Sequence, residues 1–147
     1  MSKRKWNERS SYPMWKWSFD FFWRINKDIH YLKPWDLWVQ TLGFDAQCLY
    51  KWIYYGIEYK ASSNINKFTF SAFSDLEKEC KKLQHIINCW WKAFVIIIFN
   101  KVTKFYPLSF VLEYWDKQLT IEDHGVVIPK IKDNTNRTIY DISILFK

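Results

Sequence analysis

The sequence predicts an α+β fold: an N-terminal helical and extended, aromatic-rich extension, followed by a strand–helix–antiparallel-sheet domain. Three observations carry that expectation. A helix-period apolar stripe with its own start signal runs through residues 74–90. The segments after it are short, rich in β-branched residues and separated by turns bearing Asp, Asn or Gly. The first third is basic, crowded with aromatic rings and of mixed period. A polar stretch, Ser62-Ser63-Asn64, marks the expected boundary between an extension, residues 1–65, and a compact domain, residues 66–147.

Taken in order, residues 1–12 (MSKRKWNERSSY) are polar, basic and without period, and read as an extended arm. Over residues 15–31 the signal divides: Trp15, Trp17, Phe19 and Phe21 alternate as in a strand, whereas Phe22, Ile25 and Ile29 follow helical spacing. Extended structure leading into a helix from about Ser18 is expected. Pro34 breaks that pattern, and residues 35–42 read as a short helix stopped by Gly43. Asp45 is a candidate N-cap for a further helix to about Lys60, with Leu49, Trp52, Ile53 and Gly56 on one stripe.

Past the boundary, Phe68, Phe70 and Ala72 alternate with Thr69 and Ser71 and suggest a short strand. Ser74-Asp-Leu-Glu77 has the form of a capping box, opening a helix whose stripe is Leu76, Cys80, Leu83, Ile87 and Trp90. Residues 94–99 read as a buried strand. Strand-like runs follow at 108–114, 118–122, 126–131 and 138–146, punctuated by turns at 115–117, 123–125 and 132–136. Short strands with tight connections predict an antiparallel meander.

Composition speaks to origin. Phe, Tyr, Met, Ile, Asn and Lys make up 65 of the 147 residues, against 15 for Gly, Ala, Arg and Pro, and Lys outnumbers Arg 18 to 4. The first set is written with A/T-rich codons, so an AT-rich gene is expected. Such a gene should make Trp scarce, yet there are 10. Reading UGA as Trp, as most mitochondria and mycoplasma-like bacteria do, removes the conflict; the competing explanation is selection of Trp for packing alone.

The net charge of +7 favours a polyanionic partner such as RNA or an anionic membrane surface. Most of the excess falls in the first quarter. Cys48, Cys80 and Cys89 are odd in number and lack CxxC spacing, which indicates neither a disulfide framework nor a zinc knuckle and suggests a reducing compartment. The basic start has no apolar h-region, so no secretory signal is expected. The longest apolar run, residues 93–99, falls well short of the roughly 18 residues a spanning helix needs.

Catalytic signatures are few. There is no glycine-rich phosphate loop, GxSxG or HExxH. His85 would lie beside Cys89 on a helix, but no third or fourth ligand accompanies them, and a packed helix face is the expectation. Glu122, Asp123 and His124 before Gly125 could form an acid–base group; Asp and Gly are also what a solvated turn requires. No catalytic residue, metal or cofactor is expected. The stronger signal is basic and aromatic residues interleaved near the start, where Lys3, Arg4, Lys5, Trp6, Arg9, Lys16, Arg24 and Lys27 are candidate RNA contacts through phosphate neutralisation and base stacking. The same aromatics could instead pack on this protein or on a neighbour.

Across its whole length the chain resembles, in composition, the small, AT-biased, basic proteins encoded in protist mitochondrial genomes, many of them divergent ribosomal proteins and others respiratory-complex subunits. The segment FTFSAFSDLE at residues 68–77 looks like the first strand and helix start of the tenth small-subunit ribosomal protein. That family's later proline-rich and SPH-type signatures are absent, and no residue roles carry over. The resemblance implies a non-enzymatic structural component of a mitochondrial ribosome, partnered by rRNA and ribosomal proteins in the matrix. The alternative is a non-catalytic accessory subunit of a membrane-bound respiratory complex, its aromatic residues 15–38 lying at the lipid interface.

Overall fold

The computed structural model describes residues 11–25, 29–32, 46–51, 53–63, 66–88, 92–100 and 102–146. Its first helix, α1 (Tyr12–Ile25), carries Pro13 in its first turn, where a missing backbone N–H costs no hydrogen bond. Trp15, Phe19 and Phe22 recur at i, i+4 and i+7, and the first two are fully buried. The expected extended start is corrected: the helix begins six residues before Ser18 because the longer 3.6-residue stripe has a sheet to cover. Of the extended arm expected over residues 1–12, residues 1–10 lie outside the described residues and Tyr12 instead opens α1; the helix over 35–42 and the Asp45 cap also lie outside them.

Strands β1 (Ile29–Leu32), β2 (Ala46–Tyr50) and β3 (Ile53–Ala61) pair as antiparallel neighbours. The helix expected up to Lys60 is therefore corrected to a β-hairpin, turned at Lys51 with φ 48°. Two periods compete in this segment. The period-2 set Tyr55, Ile57 and Tyr59 prevails over the helical stripe because Ala46 pairs Ile57 and Cys48 pairs Tyr55 across the hairpin, all buried on one face.

Next come β4 (Lys67–Phe68), a 3-10 turn (Phe70–Ala72) and α2 (Leu76–Ile87). The expected helix is present, with Leu76, Cys80 and Leu83 buried. Its capping box is not: Asp75 takes φ 63° and receives the Ser74 hydroxyl at 3.5 Å. Helix α2 is the crossover joining β3 to β5 (Lys92–Ile98), which lie parallel. The expected boundary at Ser62–Asn64 thus falls between two strands of one sheet. β6 (Thr103–Pro107), which the sequence reading passed over, runs antiparallel to β5.

The run over 108–114 is corrected from strand to helix α3 (Leu108–Glu113), which buries Leu108 and Val111 and leaves Leu112 exposed. β7 (Leu119–Thr120) pairs with β4, β8 (Val126–Val127) with β6, and β9 (Lys130–Lys132) with β10 (Thr138–Tyr140) before a closing 3-10 turn (Ile142–Phe146). Among the described residues the main sheet has six strands in the order β1-β2-β3-β5-β6-β8. The fold is α+β, but the expected antiparallel meander is corrected to a mixed sheet, because the α2 crossover forces one parallel pair.

β5 is buried on both faces, which is why its sequence is a continuous apolar run rather than an alternation. Val95 and Ile97 face a core closed by α2 and α3, while Phe94 and Ile96 face one closed by α1 and the C-terminal turn. No described helix is long and apolar enough to cross a membrane.

Candidate active site

Alternation along β3 sends Tyr55, Ile57 and Tyr59 into the α1 core. Glu58 and Lys60, two apart, share the other face, toward α2. Both are buried, with side-chain exposures of 2% and 11%. Helix α2 brings Glu79 to them. The Lys60 ammonium lies 3.0 Å from Glu79 Oε2 and 3.9 Å from Glu58 Oε1, and donates to Glu79 Oε1 at 3.3 Å and to the Ser74 carbonyl at 3.0 Å. The cluster sits toward the carboxyl end of the parallel β3–β5 pair, where open sheets with parallel strands place their ligand crevices.

Such a cluster is a poor device for stability. Each ion loses several kcal/mol of hydration on burial, and apolar side chains of similar volume do as well or better. A buried cluster of opposite charges makes the face of β3 toward α2 the candidate functional site. Cys80, one residue beyond Glu79, is not a nucleophile: burial, reinforced by Glu79 and opposed by Lys60, pushes its thiol up to about 12. Among the described residues no three His, Cys, Asp or Glu side chains converge on one point. A magnesium-type cation needs only one or two carboxylates, with water and substrate phosphate completing the octahedron, and Glu58 supplies one.

A second buried ammonium is structural. Lys104 on β6 donates to the carbonyls of Ile121, Glu122 (3.4 Å) and His124 (2.8 Å). Burial lowers its pKa, while Asp123 and Glu122 oppose that shift. Glu122-Asp123-His124 is accordingly a turn folded around a lysine, with Asp123 accepting from the Thr120 hydroxyl at 2.5 Å. Gly125, at φ 86°, completes the turn; a Cβ there would come within 2.5 Å of the Tyr106 ring.

Of the eight expected RNA contacts, Lys3, Arg4, Lys5, Trp6, Arg9 and Lys27 lie outside the described residues. Lys16 and Arg24 fall on α1, where Lys16 is exposed and pairs with Asp20 at 3.0 Å. Lys60, Glu58 and Glu79 were not singled out in the sequence. Their signal was present as Glu-x-Lys inside an apolar run, but a helical reading of residues 45–60 separates the two by 200° and conceals it.

No family model and no curated protein matches the chain. Among solved structures it is similar to Hjc, a Holliday junction resolvase of Archaeoglobus fulgidus. The two are 16% identical over 85% of this chain and 93% of that one, with a TM-score of 0.46. The comparison thus returns a resolvase where the sequence led us to expect a ribosomal or respiratory-complex component. That expectation, and with it the expectation that the chain is not an enzyme, is corrected. A TM-score below 0.5 transfers no activity, and the functional reading rests on the charged cluster.

Proposed function

We propose that the chain is a divalent-cation-assisted phosphodiesterase acting on nucleic acid. The observation that carries this reading is the buried Glu58–Lys60–Glu79 cluster. Phosphodiester hydrolysis forms a bond from a water oxygen to phosphorus, breaks a P–O ester bond and returns a proton to the departing oxygen. It needs positive charge where the phosphorane develops negative charge, inside a site that excludes bulk water. Lys60 supplies a fixed ammonium whose neighbours are two carboxylates and a carbonyl. Glu58 would hold the cation, which when bound polarises the phosphoryl oxygen and acidifies water. The net charge of +7 fits a polyanionic substrate.

Purified protein incubated with single-stranded, duplex and branched DNA and RNA in Mg²⁺ or Mn²⁺ should cleave at least one of them, and EDTA should abolish cleavage. E58A and K60A should each lower the rate by a factor on the order of a hundred or more, the scale of removing one charge-stabilising group. Cleavage of none of these substrates, or cleavage that survives both substitutions, would overturn the reading.

A further inference from the structure

The Lys60 ammonium is closer to a residue of another element than to its partner on β3. Glu79 Oε2 lies at 3.0 Å, against 3.9 Å for Glu58 Oε1. A lysine side chain has four rotatable bonds and nearly 2 kcal/mol of rotamer entropy, so a strand position alone does not fix where its charge sits. Two contacts remove that freedom, Glu79 from the first turn of α2 and the Ser74 carbonyl just ahead of it. We infer that Glu79 is a positioning residue, which with the Ser74 carbonyl fixes the Lys60 ammonium beside Glu58 so that cation and carboxylate present one prearranged pair to a phosphodiester.

This rests on the proposed activity and adds to it. Glu79 acts through Lys60, and the α2 crossover becomes the element that sets the reach of a catalytic charge on β3. Glu58 is the other charge on the strand, Cys80 follows Glu79 on α2 with its thiol held protonated, and β5 sets Ile97 opposite Lys60. The nearer carboxylate, Glu79, orients the ammonium beside Glu58.

The test compares E79A, E79Q and E79D in the full chain by two readouts. In protein labelled with ¹⁵N at lysine Nζ, the Lys60 ammonium should give a slowly exchanging signal, assigned by its loss in K60A. That signal should vanish in E79A, weaken in E79Q and persist in E79D. With a cleaved substrate, E79A should lower kcat at least tenfold while KM stays within twofold, and E79D should recover most of the loss. A role confined to folding would lower the melting temperature and the amount of active protein without this split. If E79A does not fold, the near-isosteric E79Q carries the test through the same two readouts. An unchanged Lys60 signal or unchanged kcat in E79Q and in any folded E79A overturns the positioning role, even where K60A is inactive. The ammonium signal needs no turnover, so it decides the contact separately from the cleavage assays, on which the phosphodiesterase reading stands or falls.

Discussion

At the scale of single residues, two carboxylate environments show opposite uses of burial. Asp133 closes the β9–β10 hairpin by accepting from the backbone N–H groups of Thr135 and Arg137, both at 2.9 Å, from the Thr135 hydroxyl at 2.8 Å and from Arg137 Nε at 3.0 Å. Desolvation would raise its pKa, but these donors outweigh it and hold the carboxyl down at about 2. Because the folded value lies below the unfolded value of about 3.9, the stabilisation is full above that pH and is lost as pH falls through about 2. Acid unfolding of D133N should therefore show a flatter stability profile between roughly pH 4 and pH 2 than the parent. An identical profile would show that these bonds do not distinguish the folded chain. Glu58, by contrast, is held beside an ammonium away from solvent. K60A should destabilise by about 3 kcal/mol because it leaves buried carboxylate charge uncompensated, whereas replacing Glu58, Lys60 and Glu79 together by Met or Leu should cost little or even stabilise. Urea melts of the two variants check this, and a triple variant less stable than K60A contradicts it.

At the scale of elements, α1 shows what the N-terminal aromatics do. Trp15 stacks between Tyr59 at 5.0 Å and Tyr140 at 3.9 Å, with its indole N–H on Ser11 Oγ at 3.2 Å. Arg137 sits over the Trp17 ring at 4.1 Å. These two rings tie the helix to β3 and to the C-terminal hairpin, so they serve packing, which the sequence left as the competing use of aromatics. Ser18 is the polar peg of this contact: its hydroxyl donates to the Met14 carbonyl at 2.6 Å and accepts from the Tyr140 N–H at 2.8 Å. S18A should cost about 1–3 kcal/mol, the penalty of an orphaned buried N–H, whereas an exposed helical Ser→Ala change is close to neutral. A chemical-denaturation midpoint unchanged in S18A would refute that bond's contribution.

At the scale of the whole molecule, the mixed sheet explains which sequence signals held. Helix α2 was legible because its apolar stripe Leu76, Cys80 and Leu83 faces one core and its other faces are polar. The buried strand over 94–99 was legible because both of its faces are covered, which leaves no polar position. The segment 45–60 was misread because Leu49, Trp52 and Ile53 fit a helical stripe as well as Tyr55, Ile57 and Tyr59 fit an alternation; local pattern offers no criterion between them until a layer arrives to cover one set. The charged pair was lost with that segment. The topology also bears on residues 66–147 taken alone. They lack β3, the parallel partner of β5, and the α1 layer over Phe94 and Ile96. Expressed without residues 1–65, they should fail to give the dispersed amide spectrum of a packed domain; a dispersed spectrum would show that this half folds independently.

The sequence by itself determined the α+β class, the amphipathic crossover helix, the turns rich in Asp, Asn and Gly, and the basic balance, because each is written in local periodicity or in simple counts. Tertiary structure alone decided that 46–61 is a hairpin, that 108–113 is a helix, and that Glu58, Lys60 and Glu79 meet. The last depends on contact between Lys60 and Glu79, 19 positions apart, brought together by a parallel pairing that no local pattern encodes. A charged side chain on a strand acquires its neighbours, and so its chemistry, only when the crossover helix packs back onto the sheet.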